Sequence, residues 1–313
     1  MSGFFFGFLF LDRRTFHFQV QQGAFTMSKP KILIQLDPDK HSSVFDSVVA
    51  VDSGIDQLFR HQLVEATEVE GLVHGAIFTR GPADLKNTAI FVGGQDVSRG
   101  EEILNRIRKT FFGPMRVSVM LDSNGSNTTA AAAVLCAEKH LELAGCSVGI
   151  LGGTGPVGQR IARLVARKGG RVWIGSRQLS RSESVCKSLQ EQDESWKLQP
   201  FSTSDTAWPG QLSEVDVLFA AGAAGIELIS SEQLQLLENR KVLVDLNAVP
   251  PTGIPGVEVM AAGAETDGVV GYGAIGVGGL KMKIHKTCLQ RLFTANDLVL
   301  DAEQIYDLGA ELS

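Results

Sequence analysis

The stretch Gly153-Thr154-Gly155-Pro156-Val157-Gly158 has the spacing GxGxxG, and that spacing serves a definite chemistry. The first glycine permits a tight turn, the second lets the backbone approach a pyrophosphate, and the third lets a helix pack close to a sheet. The helix start that follows offers free N–H groups to the anion. The string alone is common, so its surroundings decide. Ser147–Leu151 before it reads as a strand, and Val157, Ile161, Leu164 and Val165 after it share one face of a helix running from Pro156 to about Lys168. The next strand, Arg171–Gly175, ends in Ser176-Arg177-Gln178, with Arg181 close behind. An NAD-selective site places a carboxylate here for the ribose hydroxyls. A hydroxyl and a guanidinium stand here instead, and they suit the 2′-phosphate of NADP through charge-assisted hydrogen bonds. The competing reading of Arg177 is a solvated surface residue. The expected cofactor is NADP, with NAD also accommodated. Ala220-Ala221-Gly222-Ala223-Ala224-Gly225 follows a further strand, where small residues admit a nicotinamide ribose or simply pack. Asp245-Leu246-Asn247 closes the strand after that at the same rim. Ala221, Gly222 and Asn247 therefore join the glycine turn, Ser176 and Arg177 as candidate cofactor contacts.

The elements that must hold these groups alternate between strand and helix. Strands are predicted at Lys31–Leu36, Gly71–Thr79, Thr88–Val92 and Arg116–Leu121, with helices at Ser42–Ala50, capped by Ser42 or Ser43, and at Arg99–Thr110. A helix from Ser126 to about Leu143 reads as a connector. Beyond it the βαβ pattern restarts and continues through strands at Val215–Ala220 and Lys241–Leu246. The tail from Leu280 holds two helices separated near Asn296, the last one burying Ile305, Leu308 and Leu312. The fold class is α/β with two domains. One comprises residues 27–130 and 286–313, completed by the C-terminal helix, and the other is a Rossmann-type dinucleotide domain at 131–285. Residues 1–26 read as an extension outside the fold.

Composition removes several function classes. The chain has 313 residues, 44% hydrophobic and 20% charged, enough for two domains with well-buried cores. A net charge of -6 without any Lys/Arg run argues against nucleic acid as a partner. Cys136, Cys146, Cys186 and Cys288 show no CxxC spacing, and the six histidines show no HxH or HxxxH pattern, so reduced thiols and no metal site are expected. The apolar run Phe4–Leu11 is too short to span a bilayer, and Arg13 and Arg14 follow it where an export signal would place charge before it. No membrane association and a cytoplasmic location are therefore expected.

Three further segments carry a resemblance. Asp122-Ser123-Asn124-Gly125-Ser126-Asn127-Thr128-Thr129, the preceding Phe111-Phe112-Gly113-Pro114, and Gly278-Gly279-Leu280-Lys281-Met282-Lys283-Ile284-His285, together with the glycine turn, resemble the methylotroph-type methylene-tetrahydromethanopterin dehydrogenase family. The resemblance runs from Lys31 to Leu312 and leaves residues 1–26 outside. It implies reversible hydride transfer from the methylene bridge of a reduced pterin to NADP in a homo-oligomer, trimeric or hexameric. Such a reaction needs no obligatory base, because the methenyl product is stabilised by its own two nitrogens, and catalysis rests on positioning the two rings with water excluded. The resemblance marks Lys281 as the catalytic residue, fixing the pterin or the nicotinamide by hydrogen bonds; the alternative for it is a surface lysine. Lys283 and His285 are weaker candidates. Asp37, Asp39 and Asp46 are candidates to accept the pterin N–H groups or are turn caps, and Asn124, Ser126, Asn127 and Thr128 either line the cleft or cap the helix they begin. Gln95 stands where the family pattern carries a glycine. Three other readings stay open: tetrahydrofolate as the carrier, a shikimate-dehydrogenase-like oxidoreductase, and a non-enzymatic NADP-binding sensor.

Overall fold

The computed structural model describes residues 29–312, so the expectations for the first 26 residues lie outside it. The first half of the chain builds β1 (Ile32–Leu36), α1 (Val44–Asp52), β2 (Gln57–His61), α2 (Val69–Phe78), β3 (Thr88–Val92), α3 (Val97–Thr110), β4 (Ser118–Leu121) and α4 (Ser126–Glu138). The second half builds β5 (Ser147–Leu151), α5 (Pro156–Arg167), β6 (Arg171–Ser176), α6 (Leu179–Gln190), β7 (Lys197–Ser202), α7 (Trp208–Gln211), β8 (Val217–Ala220), α8 (Ser231–Gln235) and β9 (Val242–Asp245). It closes with β10 (Ala262–Thr266), β11 (Val269–Tyr272), α9 (Ala274–Arg291), β12 (Val299–Leu300) and α10 (Ala302–Ala310).

Two sheets result. The first has the order β2-β1-β3-β4-β12 with every pair parallel. The second runs β7-β6-β5-β8-β9-β11-β10, parallel except for the β10–β11 edge. Both are doubly wound sheets, which bind ligands at the carboxyl ends of strands where the strand order reverses. That point lies between β1 and β3 in the first sheet and between β5 and β8 in the second.

The strand expected at Gly71–Thr79 is the helix α2. Its buried residues Val69, Val73, Ala76 and Ile77 recur at helical spacing, and that period prevails over the apolar and β-branched content that suggested a strand. Strand β2, on the sheet edge, escaped the sequence reading because only Leu58 and His61 of its five residues are even partly buried. The connector helix ends at Glu138 rather than Leu143, and Leu312 is exposed while Ile305 and Leu308 are buried.

Helix α4 explains how the two sheets are joined. Ala130, Ala131, Ala132, Ala133, Val134 and Leu135 are all buried, in one core that extends from Leu33, Phe91 and Met120 of the first sheet to Val148, Ile150 and Val244 of the second. Small side chains let neighbouring helices approach closely on every side, and burial of this much apolar area drives the association. The boundaries expected at 130/131 and 285/286 fall inside α4 and α9, two continuous helices, so no linker marks the division. All four cysteines are free, and burial pushes the thiols of Cys136 and Cys186 up to about 11 and that of Cys288 up to about 12. No helix among the described residues is long and apolar enough to cross a membrane.

Candidate active site

Each switch point carries a cleft. The cleft at β5/β8 encloses about 870 Å³ and is lined by Gly152, Thr154, Gly155 and Pro156 on one side, Ser176, Arg177, Gln178 and Arg181 on another, and Ala221 and Gly222 beneath. Gly152 takes the left-handed turn (φ +71°), and a Cβ there would meet the Gly222 Cα at 2.7 Å. The tight turn assigned to Gly153 therefore belongs one residue earlier. Gly153 and Gly158 pack against each other instead: a Cβ on Gly158 would sit 2.6 Å from the Gly153 Cα, so the third glycine sets the distance between α5 and the sheet. Val157 turns into the core. Gly155 caps α5, where Pro156 occupies the first turn without sacrificing a hydrogen bond.

Arg177 is exposed at the end of β6, and no ion pair engages it or Arg181 among the described residues. Its own carbonyl is held by the hydroxyls of Ser204 at 2.9 Å and Ser202 at 3.3 Å, which fixes the loop that carries the guanidinium. Thr203 and Ser204 also face the cleft, contacts the sequence offered no sign of because β7 was not foreseen. Asn247, expected among the cofactor contacts, lies outside the cleft lining. Its Oδ1 accepts from the N–H groups of Gly225 and Val249 and its Nδ2 donates to the Pro251 carbonyl, so it braces the loop after β9 and does not line the cleft.

The cleft at β1/β3 encloses about 250 Å³ and gathers residues from four distant segments: Asp39, Ser43, Phe45 and Asp46, then Gly94 and Gln95, then Asn124 and Gly125, and finally Lys281. Ser43 caps α1 by accepting from the Asp46 N–H at 3.1 Å. This helix start places the Asp46 carboxylate in the pocket, where burial first, and the neighbouring Asp122 and Asp37 charges after it, push its pKa up to about 6 despite Ser43 and Lys281. Asp39 accepts from the Gln95 N–H at 2.8 Å and so ties the β1 turn to the β3 turn. Asp37 is fully buried below, accepting from the Asp39 and Ser43 N–H groups, and burial raises its pKa. It is a turn cap rather than a ligand contact.

Lys281 lies mid-helix in α9, half-buried, with its ammonium 5.5 Å from the Phe45 ring centroid. It packs over Gly125, whose left-handed φ of +57° and missing side chain make room for it. Nothing crowds Gly278 or Gly279, so the close approach expected of these two glycines is not seen within the protein. Lys283 points outward and is exposed. His285 is 1% exposed and stacks on Phe91, its Nδ1 lies 3.7 Å from Asp122 Oδ2, and burial lowers its pKa.

The polar string at the start of α4 divides. Asn124 (φ +54°) is exposed in the pocket, its N–H bonded to the Gly94 carbonyl. Ser126, Asn127 and Thr128 are fully buried and do not reach it. Asp122 accepts from the N–H groups of Asn127 and Thr128 at 3.0 Å each and from the Thr128 hydroxyl at 2.7 Å, while the Ser126 hydroxyl donates to the Ser123 carbonyl. Nor do their side chains cap the helix, the alternative open for these three: the Asp122 carboxylate takes the free N–H groups, and the three side chains brace the core around it. Phe45 is a pocket residue that the sequence reading did not include; its 51% exposure appears only in the folded structure, and a phenylalanine in an apolar helix reads as core.

Fold and clefts together define a Rossmann-type α/β protein with a second parallel sheet. Residues 44–124 match the family described as methylene-tetrahydromethanopterin dehydrogenase, N-terminal. The chain is 40% identical over 289 residues to the bifunctional protein MdtA of Methylorubrum extorquens, covering 92% of this chain and all of that one. It is 31% identical to the NAD(P)-dependent methylenetetrahydromethanopterin dehydrogenase of the same organism, over 90% of this chain and 98% of that protein. The chain belongs to the methylene-tetrahydromethanopterin dehydrogenase family. At the level of fold alone it is similar to shikimate 5-dehydrogenase of Listeria monocytogenes, with a TM-score of 0.55 at 14% identity over 91% of this chain and 96% of that one.

Proposed function

We propose that the protein is an NADP-dependent dehydrogenase that oxidises methylene-tetrahydromethanopterin to its methenyl form. The observation that carries this reading is the similarity to relatives along their full length, both sheets included, one of which is named for that reaction. The shape of the two clefts agrees with it. The α5 N-terminus and the glycine turn suit a pyrophosphate, and the unpaired Arg177 with Ser176 suits a 2′-phosphate. In the smaller cleft the carboxylates of Asp39 and Asp46 accept from the amino and ring N–H groups of the pterin, while Lys281 orients the ring system from the α9 side. The developing methenyl cation also gains from the nearby carboxylates, an electrostatic contribution that grows as the bound rings displace water.

In this reading the first sheet with α10 serves the pterin and the second sheet serves the dinucleotide. The enzyme works in the cytoplasm as a homo-oligomer. Mixing purified protein with NADP and methylene-tetrahydromethanopterin should raise the NADPH absorbance band, faster than with methylene-tetrahydrofolate. Dinucleotide binding without reduction by either pterin would sink the proposal.

A further inference from the structure

Arg160 lies on α5 and is 7% exposed. Burying a guanidinium is costly unless its N–H groups find acceptors, and a packed apolar side chain at such a place is often as stable. Each of the three Arg160 nitrogens finds an acceptor. The Nε donates to Asn127 Oδ1, the Nη1 to the Pro156 carbonyl at 3.2 Å and the Nη2 to Glu101 Oε1 at 2.9 Å. Asn127 is itself buried, and its Nδ2 donates to the Leu121 carbonyl at 2.6 Å and to Asp301 Oδ1 at 3.0 Å. One guanidinium and one amide thus tie the dinucleotide-side helix α5 to α3, to the end of β4, and to the starts of α4 and α10.

The two ends of this connection lie at the two clefts. Pro156, which accepts from Arg160, lines the dinucleotide cleft. Asn127 stands two residues beyond Gly125, which lines the smaller pocket under Lys281. The apolar contacts of α4 hold the sheets together without fixing direction, whereas these hydrogen bonds have preferred lengths and angles and therefore set a register. Hydride transfer needs such a register, since a displacement of about 1 Å between reacting rings costs on the order of 100-fold in rate.

We propose that Arg160, acting through Asn127, is the positioning residue that fixes the spacing between the dinucleotide cleft and the pterin pocket. The inference rests on the dehydrogenase reading above. In the full chain, Arg160→Met should lower kcat about 10- to 100-fold with each KM changed less than about threefold, because both clefts stay intact while their separation varies. Arg160→Lys should recover part of the loss. Asn127→Ala combined with Arg160→Met should lower kcat by less than the product of the two single effects, since the bond between the two side chains is lost in each; a full product would mean that the two act independently and would overturn the coupling. The primary deuterium isotope effect on kcat should rise in each variant as hydride transfer becomes slower. A kcat per folded molecule equal to wild type, or an unchanged isotope effect, would reduce Arg160 to a core residue and overturn the proposal.

A readout independent of activity separates this inference from the assigned reaction. Spin labels on Glu102→Cys in α3 and Ser184→Cys in α6, in a Cys146→Ser background, report the distance between the two halves. The distribution should broaden or shift when Arg160→Met is added, and an identical distribution would overturn the proposal even if the enzyme is active. Should the wild-type chain reduce no NADP, the dehydrogenase reading fails while the distance measurement still judges the spacing role.

Discussion

The two clefts sit at equivalent places on two sheets of the same kind, yet they are made of different material. The larger cleft has one wall and a floor of backbone, namely a turn at Gly152, the start of α5 and small residues at Ala221 and Gly222, with the side chains of Ser176, Arg177 and Arg181 on the other wall. The smaller pocket is built mainly from side chains contributed by the turn after β1, α1, the turn after β3, the turn after β4 and α9. A backbone site must leave side chains out, and the required glycines are written next to one another. A side-chain site is assembled from residues up to 242 positions apart, Asp39 to Lys281, and each takes its role from its neighbours.

That contrast can be tested from its strongest point. Lys281→Ala should lower kcat about 10- to 100-fold with KM for NADP within about threefold, because the ammonium belongs to the pocket and not to the dinucleotide cleft. A raised KM for NADP at unchanged kcat would move Lys281 to the other side of the comparison. Arg177→Ala should raise KM for NADP about 10-fold or more, the worth of a charge-assisted contact, and leave KM for NAD nearly unchanged. Equal effects on both dinucleotides would remove the 2′-phosphate assignment.

Asp46 sharpens the comparison through pH. Its carboxyl is raised from 3.8 to about 6, chiefly by burial. A raised carboxyl is favoured protonated in the folded state, so its contribution to stability is fully present below the unfolded value and declines as pH rises through about 6. Acceptance of pterin N–H groups needs the ionised form, so KM for the pterin should climb as pH falls below about 6 while KM for NADP does not follow. Asp46→Asn should flatten both the KM profile and the thermal-stability slope in that window; an unchanged KM profile would exclude Asp46 from the pterin contact. The smallest effect on catalysis belongs to Thr128→Val, which removes the hydroxyl bonded to buried Asp122. Stability should fall by about 1–3 kcal/mol with kcat and KM per folded molecule nearly as before. A severalfold rise in KM for the pterin would restore Thr128 as a substrate contact.

The α/β class, the alternation of elements apart from β2, α2 and β7, the glycine-rich turn and the hydroxyl–guanidinium pair at the end of β6 were legible in the residues themselves. They depend on local periodicity and on main-chain sterics, which a short window contains. The motif Asp122–Thr129 was legible as a unit but not in its parts. Asn124 faces the pocket, whereas Ser126, Asn127 and Thr128 turn inward, and the left-handed residues Asn124 and Gly125 redirect the chain between them. Asn247 likewise carries the right chemistry at the right rim, and its amide is committed to its own loop.

By itself, then, the order of residues determined where backbone can come close to an anion, since only an absent side chain permits it. Tertiary structure alone decided which of several equivalent carboxylates, amides and hydroxyls meet a common space. Asp46, Asn124 and Lys281 converge while Asp37, Asn127 and His285 are sealed beneath them, and that sorting follows from how α1, α4 and α9 pack, which no local stretch of the chain encodes.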